Sequence, residues 1–245
     1  MEYFGFSDIG LIREKNQDSF TCLLNEYNDF ICVVCDGVGA CKFSEQASEL
    51  IVDTIKDRFN KNKKSLSNSK EIIEFLDNTL GELNYRIYDT STFSKEYKFL
   101  SSTVAGLYLN TNNDKVVFNS GDSRVYGIKD KKVELLSKDD TLTNRLLEEG
   151  KITEDEAINH PNKNVITNAC GIGKAYTINY KIIKNNYDYY IICSDGFYKY
   201  LDEYEIVKIL YKNVSIQEKV KDLISISLLK GGDDNISVIV VKENV

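Results

Sequence analysis

Apolar positions along the chain follow two rhythms that alternate. Over residues 2–7, 18–25 and 29–36, short runs rich in Phe, Ile, Val and Tyr are broken by Asn, Asp or Gly, which predicts strands. Helical spacing follows. Ala47, Ile51, Ile55 and Phe59 recur every four residues over about 44–59, with Ser44 as candidate N-cap, and Ile72, Leu76, Leu80, Leu83 and Ile87 mark a second helix over about 70–88. The polar "NKNKKSLSNSK" between them reads as a solvated loop. Residues 102–136 return to short strands, "STVAGLYLN", "KVVFNSG", "SRVYGIK" and "KVELLS", with turn residues at hairpin distances, which predicts an antiparallel meander. A leucine-bearing helix near 140–149 comes next, then Thr153 and Glu156 at capping-box spacing. Strands near 175–183 and 187–194, helices opened by Asp202 with Glu205 and by Ser215 with Glu218, and a last strand, "NISVIVV", complete the chain. This order argues for α+β layers with mainly antiparallel sheets rather than a doubly wound βαβ fold. A single proline marks no linker, so one domain over residues 1–245 is expected.

Composition narrows the function classes. With 42% hydrophobic residues in 245, the chain can bury a sizeable core. Lys plus Arg number 31 against 38 Asp plus Glu, and the only basic block is "KNKK" at 61–64, so nucleic acid is not an expected partner. No apolar run is long enough for a membrane span and "MEYFGFSDIG" lacks the regions of a signal peptide, which places the protein in the cytosol as an expectation. Six irregularly spaced cysteines read as free, mostly buried thiols. Cys32 and Cys35 form a CxxC pair, but on a strand they face opposite ways.

The chemistry gathers at strand ends. "FICVVCDGVGA" drives an apolar run into Asp36, followed by Gly37, and "YYIICSDGFYKYL" repeats the device with Asp195 and Gly196. "GGDDNISVIVV" sets Asp233 and Asp234 before a strand, "VFNSGDSRVYGI" sets Asp122 in a connection, and "REKNQDSF" sets Asp18 at a strand head. A turn explains any one Asp-Gly pair as well. The continuous apolar runs, however, are typical of strands buried on both faces, whose ends are poor places for idle charge. Two carboxylates 4 Å apart repel by about 4 kcal/mol at an effective dielectric near 20, so several gathered together need cations. With His160 the only histidine, zinc is disfavoured, and an all-oxygen site suits Mg²⁺ or Mn²⁺. Gly37 fits by letting a backbone carbonyl approach an ion. Arg13, five residues before Asp18, suits a phosphate between itself and the metals, although an ion pair with Glu14 or another acid accounts for it equally.

Seven stretches in order, "SDIGLIREKNQDSF", "VVCDGVGA", "SSTVAGLYL", "NSGDSRVYGI", "LSKDDTLTNRLLEEGKITEDEAINHPNKNVITNACG", "IICSDGFYKYL" and "GGDDNISVIVV", resemble metal-dependent protein phosphatases of the protein phosphatase 2C type, small bacterial serine/threonine phosphatases above all. The resemblance implies a four-layer αββα sandwich, two central antiparallel sheets flanked by helices. It implies that Asp36 bridges two Mn²⁺ or Mg²⁺ ions and Gly37 lends one its carbonyl, while Asp195 and Asp234 bind the other. Asp18 would hold metal-bound water, Arg13 would grip substrate phosphate, and Asp122 with Asp195 would serve a third, weaker ion. Residues of about 140–170 resemble the mobile flap that helps select protein substrates. Three departures stand out: Ala40 replaces a glycine, Gln17 stands where Glu is frequent, and Ser101 with Ser102 stand where Gly and Thr are common.

On this reading water between the ions attacks phosphorus in line, with no covalent intermediate and metal-bound water as the acid. His160, in the flap, is expected to be structural or solvent-exposed. Other schemes fail on inventory: no cysteine has arginine six residues downstream, and "ACGIGKAY" lacks the earlier glycine and following Ser or Thr of a P-loop. Expected partners are phosphoserine and phosphothreonine proteins and a cognate serine/threonine kinase, with the protein acting as a monomer. The rival class is a pseudophosphatase that binds phosphoproteins or regulates a kinase without turnover.

Overall fold

A computed structural model of the chain describes residues 1–38 and 41–243. In chain order the elements are β1 (Glu2–Asp8), β2 (Asp18–Leu24), β3 (Phe30–Val38), α1 (Ser44–Lys61), α2 (Ser69–Phe93), β4 (Ser101–Ser102), β5 (Val104–Leu109), β6 (Lys115–Ser120), β7 (Arg124–Lys129), β8 (Lys132–Leu135), α3 (Leu142–Glu148), α4 (Glu154–Ile158), β9 (Asn179–Ile183), β10 (Tyr189–Cys193), α5 (Asp195–Tyr198), α6 (Glu203–Leu210), α7 (Ile216–Lys230) and β11 (Ile236–Lys242). One sheet runs β1-β11-β10-β7-β8; the other runs β2-β3-β5-β6-β9, with β4 added beside β3. All pairings are antiparallel. Helices cover the two outer faces, so the expected αββα sandwich is the fold.

The continuous apolar runs have a direct physical cause. Successive strand residues point to opposite faces, and here each face meets a different core. Ile31, Val33 and Cys35 of β3 pack with α1 and α2, including Ile51, Ile55, Leu76 and Leu80. Phe30, Cys32 and Val34 face the other sheet, against Tyr190, Ile192, Ile239 and Val241. In β10, Ile191 and Cys193 turn outward to α6 and α7, meeting Ile209, Val220 and Leu223. Cys32 and Cys35 therefore lie in different layers, which leaves the CxxC spacing without chemistry.

Capping boxes open α4, α6 and α7 at Thr153, Asp202 and Ser215, as the spacing predicts. Four expectations need correction. Ser44 is not the N-cap of α1 but its first helical residue, with its hydroxyl donating to the carbonyls of Val38 and Cys41. The meander is not one sheet: β6 pairs β5 and β9, whereas β7 pairs β10 and β8. The chain changes sheet at Gly121, whose φ of 100° and missing side chain let it turn against Thr103, 2.7 Å from where a Cβ would meet it. The strand near 175–183 begins only at Asn179, and α5 follows β10 directly without having been foreseen. Ala40 lies outside the described residues.

Candidate metal centre

The sandwich brings strand ends from both sheets to one edge. Asp18, first residue of β2, stands directly opposite Asp36 near the end of β3. Asp36 is oriented by its own backbone: its N–H donates to Thr103 Oγ1 (3.0 Å), and its carbonyl accepts from Thr103 N–H (2.8 Å) and Ser102 Oγ (3.0 Å). Thr103 Oγ1 also hydrogen-bonds Ser123 Oγ at 2.7 Å, which ties Asp36 to the crossing that carries Asp122. From the other sheet, Ser194 Oγ donates to Asp18 Oδ2 (2.7 Å) while accepting from Ser237 N–H (2.9 Å). Asp195 follows as the first residue of α5, and Asp234 precedes β11. Gly37 answers to packing as well: a Cβ there would lie 2.6 Å from the Ser44 carbonyl oxygen and 2.9 Å from that of Gln17. Glycine thus lets the first turn of α1 close down beside Asp36.

The carboxylates feel one another. Burial, and then the charges of Asp18, Asp195, Asp122 and Asp234, hold Asp36 well above the usual carboxylate range. Burial pushes Asp18 up to about 7, with hydrogen bonds from Ser237 and Ser194 opposing it and Asp195 and Asp234 adding to it. Burial also pushes Asp122 to about 7, helped by Asp195 and Asp139 and opposed by Lys199. Asp18 Oδ1, Asp122 Oδ1 and Asp195 Oδ1 are buried without a hydrogen-bond partner. Orphaned carboxylate oxygens carry a full desolvation cost, and a hard divalent ion with oxygen ligands is the group that relieves it. As placed, no three His, Cys, Asp or Glu side chains among the described residues close round one point. Two of the acids, Asp234 and Asp195, are instead each held by a cation.

Those cations are Arg13 and Lys199. Arg13 Nη2 donates to Asp234 Oδ2 at 2.9 Å, so its partner is a candidate ligand and not Glu14. Lys199 Nζ donates to Asp195 Oδ2 at 2.6 Å, one helical turn along α5. Lys199 was not visible as a site residue, although its four-residue spacing from Asp195 is the signal once α5 is recognised as a helix. Asn235 was missed as well. Its Oδ1 accepts from Gln17 N–H (2.8 Å) and its Nδ2 donates to the carbonyls of Ile9 (2.8 Å) and Lys15 (2.9 Å), clamping both ends of the loop that presents Arg13.

Other residues singled out in the sequence have the following neighbours. Gln17 directs its amide to Glu45, and Ser101 donates to the carbonyls of Val38 and Phe99. His160 accepts from Asn162 N–H at Nδ1, a local turn contact. Helices α3 and α4 lie within residues 140–170, and a cleft of about 520 Å³ runs from Asp122 and Lys199 past Tyr198 and Asp139 to Ile158 and Lys163. Arg124 secures the base of that segment through bidentate bonds to Asp139, with its guanidinium carbon 3.8 Å from the Tyr198 ring centre.

Comparison with known proteins bears on the family. The family described as Protein phosphatase 2C matches residues 13–228. The chain is 30% identical over 240 residues to the serine/threonine phosphatase stp of Listeria monocytogenes serotype 4b (strain F2365), covering 98% of this chain and 94% of that protein. Among solved structures it is similar to serine/threonine phosphatase Stp1 from Staphylococcus aureus, with 31% identity, a TM-score of 0.91 and coverage of 100% of this chain and 95% of that one. The S. agalactiae serine/threonine phosphatase is similar as well, at 27% identity and a TM-score of 0.91 over 99% of each chain.

Proposed function

The chain belongs to the protein phosphatase 2C family, and from that premise we propose that it removes phosphate from serine and threonine side chains of proteins in a metal-dependent hydrolysis. The observation that carries the metal assignment is the set of buried, unpartnered oxygens on Asp18, Asp122 and Asp195 around Asp36. Asp36, the Gly37 carbonyl, Asp195 and Asp234 would hold two Mn²⁺ or Mg²⁺ ions, and Asp122 with Asp195 a third. Bound there, such ions supply Lewis-acid activation of water and neutralise phosphoryl charge.

The chain's own residues do the rest. Asp18 Oδ1 is free to accept a proton of an attacking water, while Ser194 fixes its Oδ2. Arg13 is half-exposed, and exposed ion pairs are worth only about 0–1 kcal/mol, so a dianionic phosphate can take it from Asp234. Its guanidinium then holds two phosphoryl oxygens through charge-assisted bonds. The clamp formed by Asn235 keeps that arginine at the acids without fixing its side chain.

The reading extends to phosphoprotein substrates, a cognate serine/threonine kinase that makes them, and a monomer with one catalytic domain and a flap at about 140–170, working in the cytosol. Among the described residues no helix is long and apolar enough to cross a membrane. Every acid and the arginine are present, so nothing in the site favours a non-catalytic phosphoprotein-binding role. The test is hydrolysis of p-nitrophenyl phosphate with added Mn²⁺, comparing wild type with Asp36→Asn. A loss of more than about 100-fold is expected, since disturbing groups that merely support metal ligands already costs 10–100-fold. Equal rates for the two proteins would refute the assignment.

A further inference from the structure

A second recess adjoins the metal centre and has no part in the chemistry above. It is an apolar groove of about 450 Å³ between the end of α2 and the chain that leaves the flap, lined by Val38, Phe99, Ser101, Ile166 and Ile172 among others. Val38 is the last residue of β3, two positions after Asp36, and pairs with Ser101. Ser101 Oγ donates to both Val38 and Phe99 carbonyls, tying the groove wall to the strand that carries the central acid.

Phe99 is the anomaly. Its φ is 67°, a region that bulky residues avoid, yet the ring is 58% exposed and Ile172 opposite is 45% exposed. Backbone strain that presents an aromatic ring to solvent gains no core packing in return, and such outliers concentrate where a ligand is bound. The Lys98 ammonium sits 4.9 Å from the ring centre, so the ring is held at a charged rim.

Resting on the phosphatase reading, we propose that this groove selects substrates by taking an apolar side chain two residues from the phosphorylated serine or threonine. Val38 lines the groove two residues along β3 from Asp36, a step of about 6.6 Å in extended strand, so the groove opens within reach of a side chain two residues from a phosphate held at the acids and Arg13 when the peptide lies extended.

The test compares phosphoserine peptides carrying leucine or serine two positions before or after the phosphoserine, with Mn²⁺, for wild type, Phe99→Gly and Ile172→Ser. Wild type should favour a leucine peptide by about tenfold in kcat/KM, the discrimination an apolar pocket gives. Both variants should bring the ratio near one, while their kcat/KM for p-nitrophenyl phosphate, which cannot reach the groove, stays at the wild-type value. Glycine also accepts the left-handed backbone at residue 99, so Phe99→Gly should melt no lower than wild type, and lost selectivity could not be ascribed to unfolding. Equal use of leucine and serine peptides by wild type would overturn the proposal while leaving p-nitrophenyl phosphate hydrolysis, and the phosphatase reading, intact. A wild type inert toward p-nitrophenyl phosphate would overturn both. If Ile172→Ser instead converts a dimer to a monomer and leaves the peptide ratio unchanged, the groove is a self-association face and the proposal is wrong.

Discussion

Asp122→Asn exchanges a buried carboxylate for a neutral amide of the same shape, at a position where Oδ1 has no partner and burial beside Asp195 and Asp139 lifts the pKa to about 7. The consequence for stability has a definite sign. Below about pH 3 the carboxyl is protonated in both folded and unfolded chains and costs nothing. As pH rises towards 7 the unfolded chain loses its proton first, so the metal-free fold is progressively destabilised, and above about 7 the cost is constant. A rise from 3.8 to about 7, at 1.36 kcal/mol per pKa step, corresponds to at most about 4 kcal/mol. The asparagine variant should therefore be more stable than wild type at pH 8 in EDTA, by up to about 1–2 M in urea midpoint for a typical slope of a few kcal/mol per molar. The gain should shrink to nothing by about pH 3. A variant equal to or weaker than wild type at pH 8, or a gain independent of pH, would refute the claim that Asp122 is held there against its own electrostatics. Saturating Mn²⁺ should narrow the difference, because metal stabilises the carboxylate form in wild type.

Removing the arginine with Arg13→Ala should lower kcat/KM for p-nitrophenyl phosphate by at least about 10–150-fold, the equivalent of one of its two charged hydrogen bonds, and leave the melting temperature within a degree or two of wild type, because its ion pair with Asp234 is exposed. Asn235→Ala should act differently: it deletes three hydrogen bonds that fasten the arginine loop, so about 2–4 kcal/mol of stability should disappear in urea unfolding, along with a rise in KM. Adding Mn²⁺ at about a hundred times its Kd should stabilise the wild type by about 2.7 kcal/mol, visible as a rise of about 5–10 °C in melting temperature that EDTA reverses. No change with either Mn²⁺ or Mg²⁺ would count against the metal site directly.

Which parts of this were legible in the residues, and why, follows from how far each feature depends on distant neighbours. The runs that end at Asp36 and Asp195 announce strands buried on both faces, because no exposed face could tolerate "ICVVC" or "YYIIC", and the structure divides each run between two cores. Charge stranded at such ends is informative for the same reason. The sheet change between β6 and β7 is not legible, since a hairpin and a crossing use the same turn residues and only the partners of β9 and β10 decide between them. Helix α5 spans four residues, too few for any periodicity, and with it the pairing of Lys199 to Asp195 stayed hidden. Asn235 resembles an ordinary strand start in sequence; its task appears only when the loop from Ile9 to Gln17 folds onto it from more than two hundred residues away.

The division of charge at the centre has its own logic. Arg13 and Lys199 attend to Asp234 and Asp195, whereas among the described residues no cation is bonded to Asp18, Asp36 or Asp122, which carry the raised proton affinities. Were the five acids structural, folding would gain by neutralising the other three, since a desolvated uncompensated carboxylate is the most costly arrangement available. The chain instead places its two cations at the periphery, on side chains long and exposed enough to swing aside. Protons and divalent ions would then compete for the same carboxylate oxygens, and a dication ligated by several carboxylates would outweigh a proton on one of them at neutral pH. An arrangement that is expensive when empty and cheap when loaded would make metal occupancy part of folding stability itself.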